Sequence, residues 1–290
     1  MEIKGQIEKK VSCIPVLPEV AHRLIRIIND PDSCANDVAD VIKHDPAITA
    51  NILKAANSVY WGHAGTIDSL SSAVMRLGSR RVFEIAMASA MRSIVNQPAK
   101  GYDMTARQLW MHSAAVASVA GMLCSNLNFG EGGVIFTAAL IHDLGKVVLD
   151  EYVGNQFETI WHMAESESLP FDEAERVILG IDHSEVGAKI AEKWNFPEKI
   201  VGVIRWHHNP DKAGEVHHSV DVVHVADAIC IMQGVGLGRD GLHYILNKAS
   251  ATRLGLSTEL LERAMFDAII ALQNYEQMFG TPNESAKSRR

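Results

Sequence analysis

Apolar residues recur along this chain every three or four positions, and strict alternation is scarce, so helical periodicity dominates. In residues 18–28, Val20, Leu24, Ile27 and Ile28 share one helical face. Asp30-Pro31-Asp32-Ser33 stops that helix and offers a new cap, and 37–43 resumes the pattern. Asp45-Pro46 reads as an N-cap followed by proline at the first helical position, where its missing N–H costs nothing, for a helix reaching about Asn57. Residues 60–65 read as a loop, and Asp68 or Ser69 caps a helix through Met75 and Leu77. Gly78 suits the left-handed position after a helix, and Ser79 opens the next one, residues 80–94. Residues 96–105, rich in Pro, Gly and polar groups, read as a linker.

The second half predicts helices at about 106–127 and 134–142, with a turn at 130–133 between them. The 134–142 helix is strongly apolar, and Gly145 ends or redirects it. Further helices are expected at 152–167, at 173–179 after Pro170-Phe171-Asp172, and from a cap within 182–184 to Trp194. Another opens at Pro197 and ends at Trp206-His207-His208, and 220–232 is the last. The tail from Thr281 is polar.

Composition narrows the class. A chain of 290 residues with 47% hydrophobic content can bury a large core in one large domain or two ordinary ones. The apolar runs fall short of the roughly 18 residues of a membrane helix, and the charged segment Met1–Lys10 lacks a signal core, so a soluble cytoplasmic protein without membrane contact is expected. A net charge of −8 is not the footprint of a nucleic-acid binder, and Arg76, Arg80 and Arg81 form only a local cluster, so DNA is not an expected partner. The four cysteines include no C-x-x-C pair and read as reduced thiols. Thirteen histidines is a high count, and several stand close together.

The sharpest local signal is Leu140-Ile141-His142-Asp143-Leu144-Gly145-Lys146, where an apolar helix ends in adjacent His and Asp. A buried carboxylate without a partner is expensive, and a divalent cation removes that cost. His112 stands among small and apolar residues in mid-helix, His183 at a helix start, His207 and His208 at a helix end, and Asp227 on an almost wholly apolar helix. Taken singly, His112 also suits a hydrogen-bonded core position, and Asp227 a core cap or an ion pair with Lys146 or an arginine. Taken together, these groups point to convergence on a metal, with N/O ligation suited to iron, manganese, zinc or nickel, as one ion or two. His217-His218 read as solvated loop residues, and His22, His44, His63, His162, His224 and His243 as structural or exposed.

The order His112, His142-Asp143, Asp227 resembles the H…HD…D pattern of the HD phosphohydrolase superfamily, and His183 with His207-His208 resembles the added ligands of its dinuclear members, the HD-GYP phosphodiesterases among them. The resemblance implies that Asp143 bridges two metals and that Lys146 lies near a substrate phosphate, which makes Asp143 and Lys146 the candidate catalytic residues. Pro15-Val16-Leu17-Pro18-Glu19-Val20, Asp45-Pro46-Ala47-Ile48, Ala56-Asn57-Ser58-Val59-Tyr60 and Ala73-Val74-Met75-Arg76-Leu77-Gly78 are similar to the HDOD domain, a bacterial signalling module. Two departures stand out. His207-His208 is followed by Asn209-Pro210-Asp211-Lys212-Ala213-Gly214 rather than Gly-Tyr-Pro, which argues against cyclic-di-GMP hydrolysis. Gln108 stands one turn before His112, where trinuclear relatives carry Glu, which argues against a third metal.

The implied fold is all-α, with an N-terminal helical bundle (1–97) packed on an HD-type helical domain (106–280) and a polar tail (281–290). The implied function is that of a regulatory module binding a signalling protein or a nucleotide, and the alternative is a metal-dependent phosphohydrolase acting on a nucleotide or cyclic nucleotide.

Overall fold

A computed structural model describes residues 3–279 apart from 29, 31, 32, 34, 59–65, 237 and 245. The expected loop at 60–65, His63, Cys34 and the tail from 281 lie outside the described residues. Among the described residues the chain is all-α, with no strand beyond one isolated bridge between Ala99 and Met104.

The helices are α1 (Ile3–Ser12), α2 (Glu19–Ile28), α3 (Ala35–Ile42), α4 (Pro46–Ala56), α5 (Leu70–Val95), α6 (Ala106–Asn126), α7 (Gly132–Ile141), α8 (Leu144–Glu167), α9 (Phe171–Leu179), α10 (His183–Lys193), α11 (Glu198–Trp206), α12 (His217–Met232), α13 (Lys248–Arg253) and α14 (Thr258–Phe279). Packing divides them into two compact units, one of residues 1–17 and 92–268, the other of 18–91 and 269–290. This grouping departs from the expected 1–97 and 106–280. Helix α1 packs on α8 and α10, because its buried face, Ile7 and Val11, finds its apolar surroundings there.

In the smaller unit, local chemistry sets the boundaries. Asp45 caps α4 by accepting the amides of Ala47 and Ile48 at 2.9 and 3.0 Å, with Pro46 in the first turn. Ser69 Oγ accepts the amide of Ser72 ahead of α5. Gly78 breaks α5 with φ 78° and ψ 157°, a backbone conformation that side-chain-bearing residues avoid. Asn51 on α4 donates to Ser89 on α5.

In the larger unit, α6 is buried along nearly its whole length, with α7 on one flank and α12 on another. Helix α11 lies against α7 and α10, and α8 against α9 and α10. The expected linker at 96–105 is instead anchored in this core through Ala99, Tyr102 and Met104. Tyr102 is fully buried, and its hydroxyl donates to Glu175 at 2.6 Å, so the Gly and polar content of the segment serves a tight packed turn. Helix α6 opens with a capping box in which Thr105 and Gln108 bond each other's backbone amides. His217 and His218 fall in the first turn of α12 rather than in a loop. The stretch Gly132–Glu167 is long and apolar enough on average to cross a membrane, but 83% of its most apolar part is buried inside the structure. Cys124 and Cys230 are buried and Cys13 is exposed, none of the three in a disulfide.

Candidate metal centre

All seven predicted ligands converge within the larger unit. His112 projects from α6, Asp227 from α12 and His183 from the first position of α10. His142 and Asp143 occupy the break between α7 and α8, and His207 and His208 follow α11. Asp143 is the hub. Its Oδ2 lies 3.6 Å from His112 Nε2 and 3.5 Å from His142 Nε2. Its Oδ1 lies 3.5 Å from His183 Nε2 and 3.9 Å from His207 Nε2. Asp227 Oδ1 joins the first pair, at 3.0 Å from His112 and 3.8 Å from His142. His208 joins the second, its Nε2 2.9 Å from that of His183. The donor atoms thus form two groups sharing Asp143, one with His112 and His142, the other with His183, His207 and His208, each within 4.8 Å of mutual separation.

The imidazoles are held by their far nitrogens. Nδ1 of His112, His142 and His207 donates to the carbonyls of Val235, Ala139 and Ile204 at 3.0, 2.7 and 2.7 Å. A carbonyl only accepts, so the proton sits on Nδ1; His142 and His207, lowered by burial, are neutral and turn a bare Nε2 lone pair inward, whereas His112 Nε2 faces Asp227 Oδ1, which raises His112 against the effect of burial. His183 Nδ1 is held by the Glu175 carboxylate at 2.7 Å. His142 Nε2, His207 Nε2 and Asp143 Oδ1 are buried without a hydrogen-bond partner among the described residues. Leaving such atoms unsatisfied costs about 1–3 kcal/mol each. Three nitrogen and oxygen lone pairs aimed at one small space are what a divalent cation satisfies, and the residues present fit such an ion.

The electrostatics agree. Burial pushes the Asp143 carboxyl up, but Lys146, His142, His183 and His112 outweigh it and hold it well below the usual range. Asp227 is likewise pulled down to about 2, burial being overcome by its bond to His112. His207 and His208 are lowered by burial and by their neighbouring imidazoles, which keeps their lone pairs free. Burial also works against a charged His183, yet the Glu175 carboxylate raises it to about 9, so a metal there displaces a proton.

Lys146 sits beside this centre and is 4% exposed. Its Nζ is 2.9 Å from Asp143 Oδ2 and 2.8 Å from Asp240 Oδ2, and these carboxylates raise its pKa against the effect of burial. Asp227 therefore pairs with imidazoles and not with Lys146. Gly145 closes the site from behind. A Cβ there would lie 1.9 Å from the main-chain oxygen of His183, so only glycine lets α8 and α10 approach this closely.

Sequence reasoning passed over Glu175, Tyr102, Asp240 and Tyr244. Glu175 follows Asp172 and Glu173 in an acidic helix start and carried no pattern of its own, and Asp240 and Tyr244 lie in a stretch beyond 232 for which no element was expected. His224 is structural as expected, its Nδ1 donating to the His207 carbonyl at 2.7 Å. Gln108 is engaged in the capping box.

The HDOD domain family matches residues 14–210, well over half of the chain. Among solved structures, an HDOD domain protein of unknown function from Geobacter sulfurreducens is 24% identical with a TM-score of 0.70, covering 94% of this chain and 92% of that one. A candidate phosphohydrolase from Shewanella amazonensis is 23% identical with a TM-score of 0.68, covering 94% and 96%. A Treponema pallidum protein without assigned function is 25% identical over 217 residues, which is 74% of this chain but only 41% of that protein.

Proposed function

This chain belongs to the HDOD domain family, and from that premise we propose that it is a signal-transduction module whose buried His–Asp centre holds two divalent ions on either side of Asp143. The observation that carries the reading is the division of one carboxylate, with Oδ2 facing His112 and His142 and Oδ1 facing His183 and His207. Asp227 completes the first set and His208 the second. When bound, such ions supply positive charge and Lewis acidity toward an anionic ligand.

Burial favours a regulatory role over open turnover. His112, His142, Asp143, His183, His207 and Asp227 are each at most 4% exposed, and Lys146 is held by two carboxylates. A centre so largely closed to solvent suits a sensor whose conformation reports occupancy to a protein partner or follows a bound nucleotide. The second reading is a metal-dependent phosphohydrolase of nucleotides or cyclic nucleotides, and the complete convergence of the ligands favours it. In that reading Asp143 serves as the shared ligand and Lys146 as the point charge on a phosphoryl oxygen.

Elemental analysis of the purified chain tests both readings, and two equivalents of a transition metal, lost in Asp143→Ala, is the expected result. Hydrolysis assays on cyclic dinucleotides, nucleotides and generic phosphodiesters with added manganese or iron separate them. Turnover abolished by Asp143→Ala rejects the purely regulatory reading, and a fully metallated but inert protein rejects the hydrolase.

A further inference from the structure

Between α12 and α13, Val235, Asp240 and Tyr244 bring three groups onto the metal centre. The Val235 carbonyl accepts from His112 Nδ1 at 3.0 Å. The Asp240 carboxylate, 1% exposed, lies 2.8 Å from Lys146 Nζ and accepts the Tyr244 hydroxyl at 2.9 Å. The Tyr244 ring lies parallel to that of His208, 4.2 Å between centroids and 4° between planes, and so covers the one ligand imidazole that is not fully buried.

Lys146 is thus a single buried cation between two carboxylates, with the rings of Tyr102 and Tyr244 at 5.6 and 5.3 Å from its ammonium. Asp143 is committed to the imidazoles and their metal. Asp240 has no such commitment, and it is the anion that another anion can replace while Lys146 keeps a negative partner. The segment carrying it suits displacement. Gly234 and Gly236 turn the chain with φ of 71° and 64°, and the far end is held independently, Asn247 donating from its amide to His224 at 2.8 Å and from its side chain to Asp211 at 2.7 Å. A strap hinged on glycine and pinned beyond its working residues can lift while the helices stay in place.

We propose that the turn carrying Asp240 and Tyr244 is an internal occupant of an oxyanion site: the Asp240 carboxylate, clamped by Lys146 and Tyr244, stands where a phosphate group of a ligand binds, so that ligand and strap exclude one another. The inference rests on the metal-centre reading above and adds the gate to it. Lifting the strap also releases Val235 from His112, so anion binding and metal ligation are coupled, and each alters the affinity for the other by the same factor.

The test titrates inorganic phosphate calorimetrically into the full chain and its Asp240→Asn and Tyr244→Phe variants. Metal content is measured on the same samples, and amide exchange is followed over 233–247. Asp240→Asn removes the competing charge and keeps the shape, so phosphate binds at least about tenfold more tightly, or about 1.4 kcal/mol. Tyr244→Phe gives a smaller gain by loosening the clamp, and phosphate speeds exchange across the strap in the parent chain. Unchanged phosphate affinity in the two variants overturns the proposal, as does strap exchange that phosphate leaves unaltered or slows. A gain that survives Lys146→Gln in the Asp240→Asn background also overturns it, because the phosphate is then bound elsewhere. Should Asp240→Asn not fold, Tyr244→Phe and the exchange of the parent decide alone. A parent chain without metal whose variants still gain affinity sinks the metal-centre reading and upholds the strap, and a metallated parent whose variants gain nothing does the reverse.

Discussion

Glu84, in the smaller unit, and Asp143, in the larger, are both carboxylates buried to within 3% of full exclusion. Glu84 is satisfied by its own helix: Arg80 and Arg81, one turn before it, reach Oε1 and Oε2 at 3.0 and 2.6 Å from positions more than a third exposed. Asp143 has a cation one turn away as well, Lys146, but its Oδ1 finds only inward-facing imidazole nitrogens. Burial of a charge is common to both. What sets Asp143 apart from Glu84 is the lone pair left without a donor, and such unsatisfied chemistry is what makes it a candidate ligand.

The sharpest break of this contrast is Asp143→Ala. It removes the group shared by both ligand sets and leaves buried Lys146 with Asp240 alone, so bound metal is lost entirely and stability falls by about 3–5 kcal/mol, the cost of breaking a buried ion pair. Elemental analysis and denaturant unfolding check it, and retained metal refutes the hub assignment. Removing metal from the intact protein with a chelator is the next largest effect, about 2.7 kcal/mol where the free ion stood at a hundredfold its dissociation constant. A melting curve indifferent to chelation and reloading argues against the centre. Gly145→Ala places a methyl against the His183 carbonyl and, since backbone cannot turn aside, costs about 1–3 kcal/mol with a matching loss of metal. Glu175→Gln keeps the hydrogen bond but not the charge behind His183, and metal affinity drops roughly 10- to 100-fold, read by competition with a chromophoric chelator. The smallest effect is Glu84→Ala, which removes one carboxylate from the half-buried Arg80 and Arg81 at about 1 kcal/mol and leaves metal content unchanged. A loss of metal there erases the distinction between the two acids.

Much of this was legible beforehand because its causes are local. Asp45-Pro46 announced the start of α4, and Asp182, whose Oδ1 accepts the Glu185 amide at 2.8 Å, the start of α10. His142-Asp143 at the end of an apolar helix declared itself because no solvated neighbour was in reach. The segment 96–105 misled for the same reason: Pro and Gly mark a turn wherever they occur, and whether that turn faces water or packs Tyr102 against Glu175 is not a local property. Asp240 and Tyr244 were invisible because their meaning lies in Lys146 and His208, distant in the chain.

The sequence by itself determined the helical class, several cap positions and a set of candidate metal-holding groups, because side-chain periodicity, capping and donor chemistry act within a few residues. Only the tertiary structure decided that the two oxygens of Asp143 face different imidazole sets, that Glu175 stands behind His183, and that Asp240 closes over Lys146. Those pairings join residues tens of positions apart, and packing of several helices around a common interior, not any propensity of the segments, brings them within a few ångströms.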